Sequence, residues 1–168
     1  MAMREMIRID IQNQKGSEMR VVIQKVQEAS VRIDGKVHAA IGPGLLIFAG
    51  WEAEDSQEDN TWMAQKITKM RLFEDQEGVM NRSVMEAAGQ LLVISQFTLH
   101  ATTKKGNRPS YFRAAHPRIS KPLYEDFLDQ LWNASDLSVK SGEFGADMKV
   151  ALVNDGPVTI TMDSKNKE

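Results

Sequence analysis

The chain has 168 residues, 42% of them hydrophobic, which suits one domain with a sizeable core. It has no cysteine, which excludes disulfides, thiolate metal ligands and a cysteine nucleophile and agrees with a reducing, cytoplasmic setting. The net charge of −2 gives no global sign of nucleic-acid binding, no apolar run approaches the ~18 residues of a membrane span, and Arg4, Glu5, Arg8, Asp10, Lys15 and Glu18 leave no room for the apolar middle of a signal peptide.

Ile7, Ile9 and Ile11 alternate with Arg8 and Asp10 and predict a short strand, broken at Asn13 to Gly16. Arg20 to Val26 reads as a strand. Ala29 to Ile33 and Lys36 to Ile41 read as a hairpin around Asp34-Gly35, a type I′ signal. After the Gly42-Pro43-Gly44 turn, the unbroken run Leu45 to Ala49 predicts a strand covered on both faces. Glu52, Glu54, Asp55, Glu58 and Asp59 read as a solvated turn and helix start. Ser56 and Asp59 resemble a weak capping box before a helix from about Gln57 to Arg71, with Trp62, Met63, Ile67 and Met70 as its apolar stripe. Gln90 to Phe97 is the next predicted strand, Thr102 to Ser110 a loop, and Ile119 to Trp132 a second amphipathic helix. Asp147 to Val153 and Val158 to Met162 read as strands on either side of a Gly156-Pro157 turn, an ordinary hairpin with a trans bond on base rates alone. Two helices beside many strands that mostly do not alternate with them predict an α+β single domain, with a curved, largely antiparallel, barrel-like sheet.

The chemistry-bearing residues are few. Leu91 to Ile94 run into Ser95, Gln96, Phe97 and Thr98, which places polar groups at a sheet rim, where sites commonly lie. On an extended strand Gln96, Thr98 and His100 share one face, so a Thr98 nucleophile with a His100 base, acting on a small ester, is one reading; a threonine that satisfies backbone groups is the other. His38 and His116 have no second ligand at a metal spacing, and no phosphate-binding glycine loop appears, so neither metal nor cofactor is expected. Asp147 and Asp155 read as solvated carboxylates. From Ala87 through Tyr124 there is no Asp or Glu, while Lys104, Lys105, Arg108, Arg113, Arg118 and Lys121 fall inside it, a candidate anion-facing surface or a solvated loop.

Ser95-Gln96-Phe97-Thr98-Leu99 and Asn154-Asp155-Gly156-Pro157-Val158-Thr159 resemble the two signature motifs of the D-aminoacyl-tRNA deacylases, also known as D-tyrosyl-tRNA(Tyr) deacylases. The likeness runs from Met19 over nearly the whole chain and includes Val22 to Val26, Gly106 to Ser110 and Phe144 to Met148, which makes residues 1–18 an extension to a domain at 19–168. The resemblance implies a homodimer that hydrolyses the ester joining a D-amino acid, or glycine, to the terminal adenosine of tRNA. It implies a cis Gly156-Pro157 bond reaching into the partner subunit's pocket, where its carbonyls exclude an L side chain, with Lys25, Met148 and Asn154 beside it. It further implies that Ser95, Gln96, Phe97 and Thr98 line that pocket, that the Phe97 and Thr98 N–H groups stabilise the oxyanion, and that a ribose hydroxyl assists the attack. Lys104, Lys105 and Arg108 become candidate contacts to the tRNA acceptor end. At Lys25 the family more often has arginine, so this chain loses a bidentate fork there. A non-catalytic RNA-binding module with the same fold is the alternative from a different class.

Overall fold

The computed structural model describes residues 18–168, so the strand expected at Ile7 to Ile11 lies outside the described residues. Among the described residues, eight strands and two helices succeed one another in chain order: β1 Arg20–Ile33, β2 Lys36–Ile41, β3 Gly44–Gly50, α1 Gln57–Lys69, β4 Arg71–Glu74, β5 Met80–Ser83, β6 Gln90–Ser95, α2 Pro117–Ser135, β7 Val139–Ser141 and β8 Lys149–Asp163. Six strands form a nearly closed, barrel-like mixed sheet in the order β2-β1-β3-β6-β7, with β8 on β1; β4 and β5 make a separate ribbon. The Lys140 Nζ donates to the Ala40 carbonyl at 2.7 Å, which brings the β7 edge back toward β2.

The pairs of β1 with β2, β3 and β8 are antiparallel, whereas β3/β6 and β6/β7 are parallel. Parallel neighbours need long crossovers, and the two helices supply them: α1 lies between β3 and β6, α2 between β6 and β7. The run Leu45 to Ala49 is apolar throughout because β3 is covered twice. Leu45 and Ile47 face a core shared with Met63, Ile67, Phe127 and Leu131 of the helices. Leu46 faces a second core with Val26, Val31, Leu92 and Ile94 inside the barrel.

The Asp34-Gly35 hairpin is as expected, with positive φ at both residues (50° and 76°) and Ile33 opposite Lys36. At α1 the Asp59 carboxylate accepts the Ser56 N–H at 2.9 Å, the return half of a capping box. Phe127 is 0% exposed and stands edge-on to Trp51 at 6.0 Å, so it joins α2 to the end of β3. Phe127→Ala is expected to lower stability by about 3–5 kcal/mol in a urea titration, because the cavity would lie between rigid walls.

The C-terminal segment corrects the hairpin expectation. Lys149 to Asp163 is one continuous strand antiparallel to β1, not two strands around a turn. The register passes from Gln24 opposite Thr159 to Val26 opposite Asn154, so Asp155, Gly156, Pro157 and Val158 bulge out opposite the single residue Lys25. The Gly-Pro pair is thus the crest of a bulge, held straight by a partner strand that continues on both sides. Its peptide bond is cis, and Gly156 has φ 122°.

Candidate active site

The end of β3 sets where β6 stops. Ala49 opposite Ser95 is the last parallel pair; the Gln96 N–H still reaches the Ala49 carbonyl at 2.7 Å, and the chain then coils into a 3₁₀ turn, Phe97–His100. The predicted strand therefore ends at Ser95 rather than Phe97, and Gln96, Thr98 and His100 do not share a strand face. The turn's own bonds begin with Leu99 N–H to the Gln96 carbonyl (3.3 Å) and Ala101 N–H to the Thr98 carbonyl (3.1 Å). The N–H groups of Phe97 and Thr98 precede that ladder, as at any helical start.

Beside this turn lies a cleft of about 570 Å³. One wall is Ser95, Gln96 and Phe97, a second runs from Ala114 to Pro117 with Tyr111, and a third from Phe144 to Met148 with Val150. Phe97 is 57% exposed and meets Tyr111 edge-on at 5.1 Å, which makes an aromatic rim. Asp147, expected to be solvated, lines the cleft but is highly exposed and pairs with Lys149 at 2.8 Å. Behind the cleft, the Tyr124 hydroxyl lies within 3.3 Å of the Val93 and Gly142 carbonyls, and burial pushes its pKa up to about 12, so it remains a neutral donor.

Of the expected catalytic group, Ser95, Gln96 and Phe97 line the cleft, and so does Met148 of the expected substrate-binding group. Thr98 stands beside the cleft, its hydroxyl accepting from the Gln96 Nε2 at 2.6 Å. His100 is 0% exposed, and its Nδ1 lies 3.1 Å from Glu52 Oε1. Burial holds the His100 pKa below the ordinary histidine value, against the raising effect of the Gly50 backbone and the Glu52 charge. The imidazole is turned to Glu52, so the geometry offers no Thr98/His100 dyad.

Of the acid cluster expected to be solvated, Glu54 and Glu58 are exposed but the other three are buried. Glu52 and Asp55 are 7% exposed and Asp59 4%. Glu52 forms an ion pair with Arg113 at 2.7 Å and accepts the Glu18 N–H at 3.2 Å. Arg20 binds Glu18 at 3.0 Å and Asp163 at 3.1 Å and donates to the Leu99 carbonyl at 3.1 Å. Desolvation that would strand one charge is offset here by several partners. Sequence reading missed this cluster because its members come from five separate segments; only the paired spacing of Glu18 and Arg20 was local.

Gly156, Pro157, Lys25 and Asn154 form a second group that does not line the cleft of their own chain. The Asn154 Nδ2 donates to the Lys25 and Val158 carbonyls, both at 3.0 Å, and so ties the foot of the bulge to β1. The Lys25 Nζ lies 3.8 Å from the Asp155 carboxylate and 5.3 Å from the centre of the Phe73 ring. Lys104, Lys105 and Arg108 sit in an exposed loop whose ends are clasped by paired Thr102 and Ser110 backbones at 2.7 and 3.0 Å, directly before Tyr111 of the rim. His116, exposed, accepts the Arg118 N–H at the start of α2. No helix among the described residues is long and apolar enough to cross a membrane.

Residues 22–163 match the sequence model of the D-Tyr-tRNA(Tyr) deacylase family. The D-aminoacyl-tRNA deacylase of Bacteroides fragilis strain YCH46 is 61% identical over 150 residues, which are 89% of this chain and all of that relative. That of Dechloromonas aromatica strain RCB is 55% identical over the same shares. A solved structure named c-Myc DNA Unwinding Element Binding Protein superposes with a TM-score of 0.80 at 39% identity, covering 85% of this chain and 97% of that one. A probable eukaryotic D-amino acid tRNA deacylase superposes with a TM-score of 0.76 at 16% identity, over 87% and 99% of the two chains, which is a likeness of fold alone. The rim motif, the Gly-Pro bulge and these relatives converge: the chain belongs to the D-Tyr-tRNA(Tyr) deacylase family and is a hydrolase acting on the ester of D-aminoacyl-tRNA.

Proposed function

We propose that the protein edits mischarged tRNA as a homodimer in the cytoplasm, cleaving D-tyrosyl-tRNA, other D-aminoacyl-tRNAs and glycyl-tRNA(Ala) to free amino acid and tRNA. The domain that does so is residues 19–168. In this reading Gly156 and Pro157 of one subunit enter the cleft of the other and leave no space for an L side chain, so chirality is enforced by exclusion. The observation that carries it is the placement of the pair: it crests a bulge away from its own cleft, while the cleft presents Ser95, Gln96 and Phe97, with its Asp147 paired to Lys149 and its His116 Nδ1 taken up by the Arg118 N–H. Asn154 and Lys25 fix the crest at its foot, and Met148 shapes the wall that a side chain would meet.

For the chemistry, the Phe97 and Thr98 N–H groups are assigned to the oxyanion that forms as water adds to the ester carbonyl. The ester is already activated, and the neighbouring ribose hydroxyl orients the attack, so fixed donors and positioning suffice. Lys104, Lys105 and Arg108 hold the acceptor end. Deacylation of matched D- and L-tyrosyl-tRNA by wild type and Thr98→Ala tests the assignment. Wild type is expected to release only D-tyrosine, and Thr98→Ala to keep most of that rate, since only its backbone is used. Turnover of both enantiomers, or a Thr98→Ala variant that is folded but inert, would sink the backbone mechanism. Absence of any turnover would favour the RNA-binding module.

A further inference from the structure

Glu52 lies behind the cleft and joins two of its walls. On one side His100, the last residue of the 3₁₀ turn, places Nδ1 3.1 Å from Glu52 Oε1. On the other, Arg113 makes a 2.7 Å ion pair with the same oxygen, and the Glu52 and Ala114 backbones form a β-bridge immediately before the wall at Ala114 to Pro117. A third tie comes from Glu18 and Arg20 at the entry to β1: the Glu18 N–H donates to Glu52 Oε2 at 3.2 Å, and Arg20, bound to Glu18, donates to the Leu99 carbonyl inside the turn at 3.1 Å. The turn also has little room to shift, since a Cβ on Gly50 would come within 2.6 Å of the Gln96 carbonyl oxygen and 3.2 Å of the His100 ring. Glu52 at 7% exposure and His100 at 0% touch no cleft space of their own.

We propose that Glu52 and His100 are positioning residues for the deacylation: their buried contact, braced by Arg113 and Arg20, sets the angle at which the Phe97–Thr98 backbone faces the cleft. The inference rests on the oxyanion assignment above. The Glu52 carboxylate is buried, so a shift of the turn or of the wall that took away Arg113 or the polar His100 ring would leave that charge short of partners, which resists the movement. A shift of the donors by a fraction of an ångström leaves the tRNA contacts intact and weakens only the interaction that strengthens in the transition state.

The test compares His100→Gln with His100→Leu, and Glu52→Gln with Glu52→Leu, using D-tyrosyl-tRNA and the full chain. The two replacements in each pair are similar in volume but only one keeps a polar group in the cluster. In His100→Leu and Glu52→Leu, kcat is expected to fall by roughly 10- to 100-fold at nearly unchanged KM, as for a small misplacement of catalytic groups. His100→Gln is expected to recover a measurable part of that loss, and the two Leu changes combined are expected to cost less than the product of their separate effects. Thermal melting confirms that each variant is folded at the assay temperature; if Glu52→Leu does not fold, the His100 pair decides alone. Folded variants with wild-type kcat, equal kcat for Gln and Leu at His100, or a loss confined to KM would overturn the proposal. A wild-type protein inactive on D-tyrosyl-tRNA would remove the functional reading itself, and this inference with it.

Discussion

Gly156→Ala is expected to lower D-tyrosyl-tRNA deacylation by about 10²-fold or to admit the L-substrate, with the fold intact, because a displacement of about 1 Å at a positioning element costs that much rate. Gly156 has φ 122°, a region that L residues rarely adopt, and holding alanine there costs of order 1–3 kcal/mol. The added methyl would also come within 2.9 Å of Val158 Cγ2. The crest cannot relax toward its foot, because Asn154 is bonded to both Lys25 and Val158 carbonyls. It therefore relaxes outward and moves the carbonyls of Gly156 and Pro157 by something near an ångström. If the crest is the chiral filter, that motion either blocks the D-substrate or opens space for an L side chain. Parallel assays of both enantiomers with the purified variant read out which. A folded Gly156→Ala protein with unchanged rate and unchanged selectivity would show that the crest takes no part in discrimination.

Local chemistry made part of this molecule readable and left the rest to tertiary pairing. β1 to β3 and both helices carry their own periodicity, and Asp34-Gly35 writes its hairpin into two residues. The Gly156-Pro157 segment carries an equally local turn signal, yet the chain runs on straight, because β1 pairs with it on both sides and absorbs the extra residues as a bulge. The strand expected to reach Phe97 stops at Ser95, since nothing in its own sequence states where β3, its partner, ends. β4, β5 and β7 are short and largely polar and exist through their pairings. The site divided in the same way. The sheet rim at Ser95 to Phe97, which lines the cleft, was legible from its polar residues, whereas Glu52 read as a solvated acid because its partners His100, Arg113 and Glu18 lie far from it along the chain. Burial of a charge is a property of the assembled fold, and sequence neighbours alone do not report it.

The second large effect concerns the substrate's charge. Lys104→Glu, Lys105→Glu and Arg108→Glu together are expected to raise the KM for D-tyrosyl-tRNA strongly while leaving kcat close to wild type. All three are exposed, and the clasp of Thr102 and Ser110 that shapes their loop uses backbone groups, so reversal of the charges should not unfold it. Each phosphate contact contributes about 0.7 to 0.9 to the slope of log affinity against log salt. Three contacts then account for a slope of about 2 to 3, and for a roughly 20- to 40-fold loss of affinity between about 50 and 200 mM salt that the variant no longer shows. Charge reversal adds repulsion, so at low salt the variant should bind more weakly still. The decisive comparison is the salt dependence of kcat/KM for wild type and variant. A flatter slope with preserved kcat assigns the loop to the acceptor end, since the chemistry then proceeds once the substrate is seated. Identical slopes would mean that the acid-free loop faces only solvent, and that tRNA is held by other cations of the same stretch, Arg118 and Lys121 on α2 being exposed there.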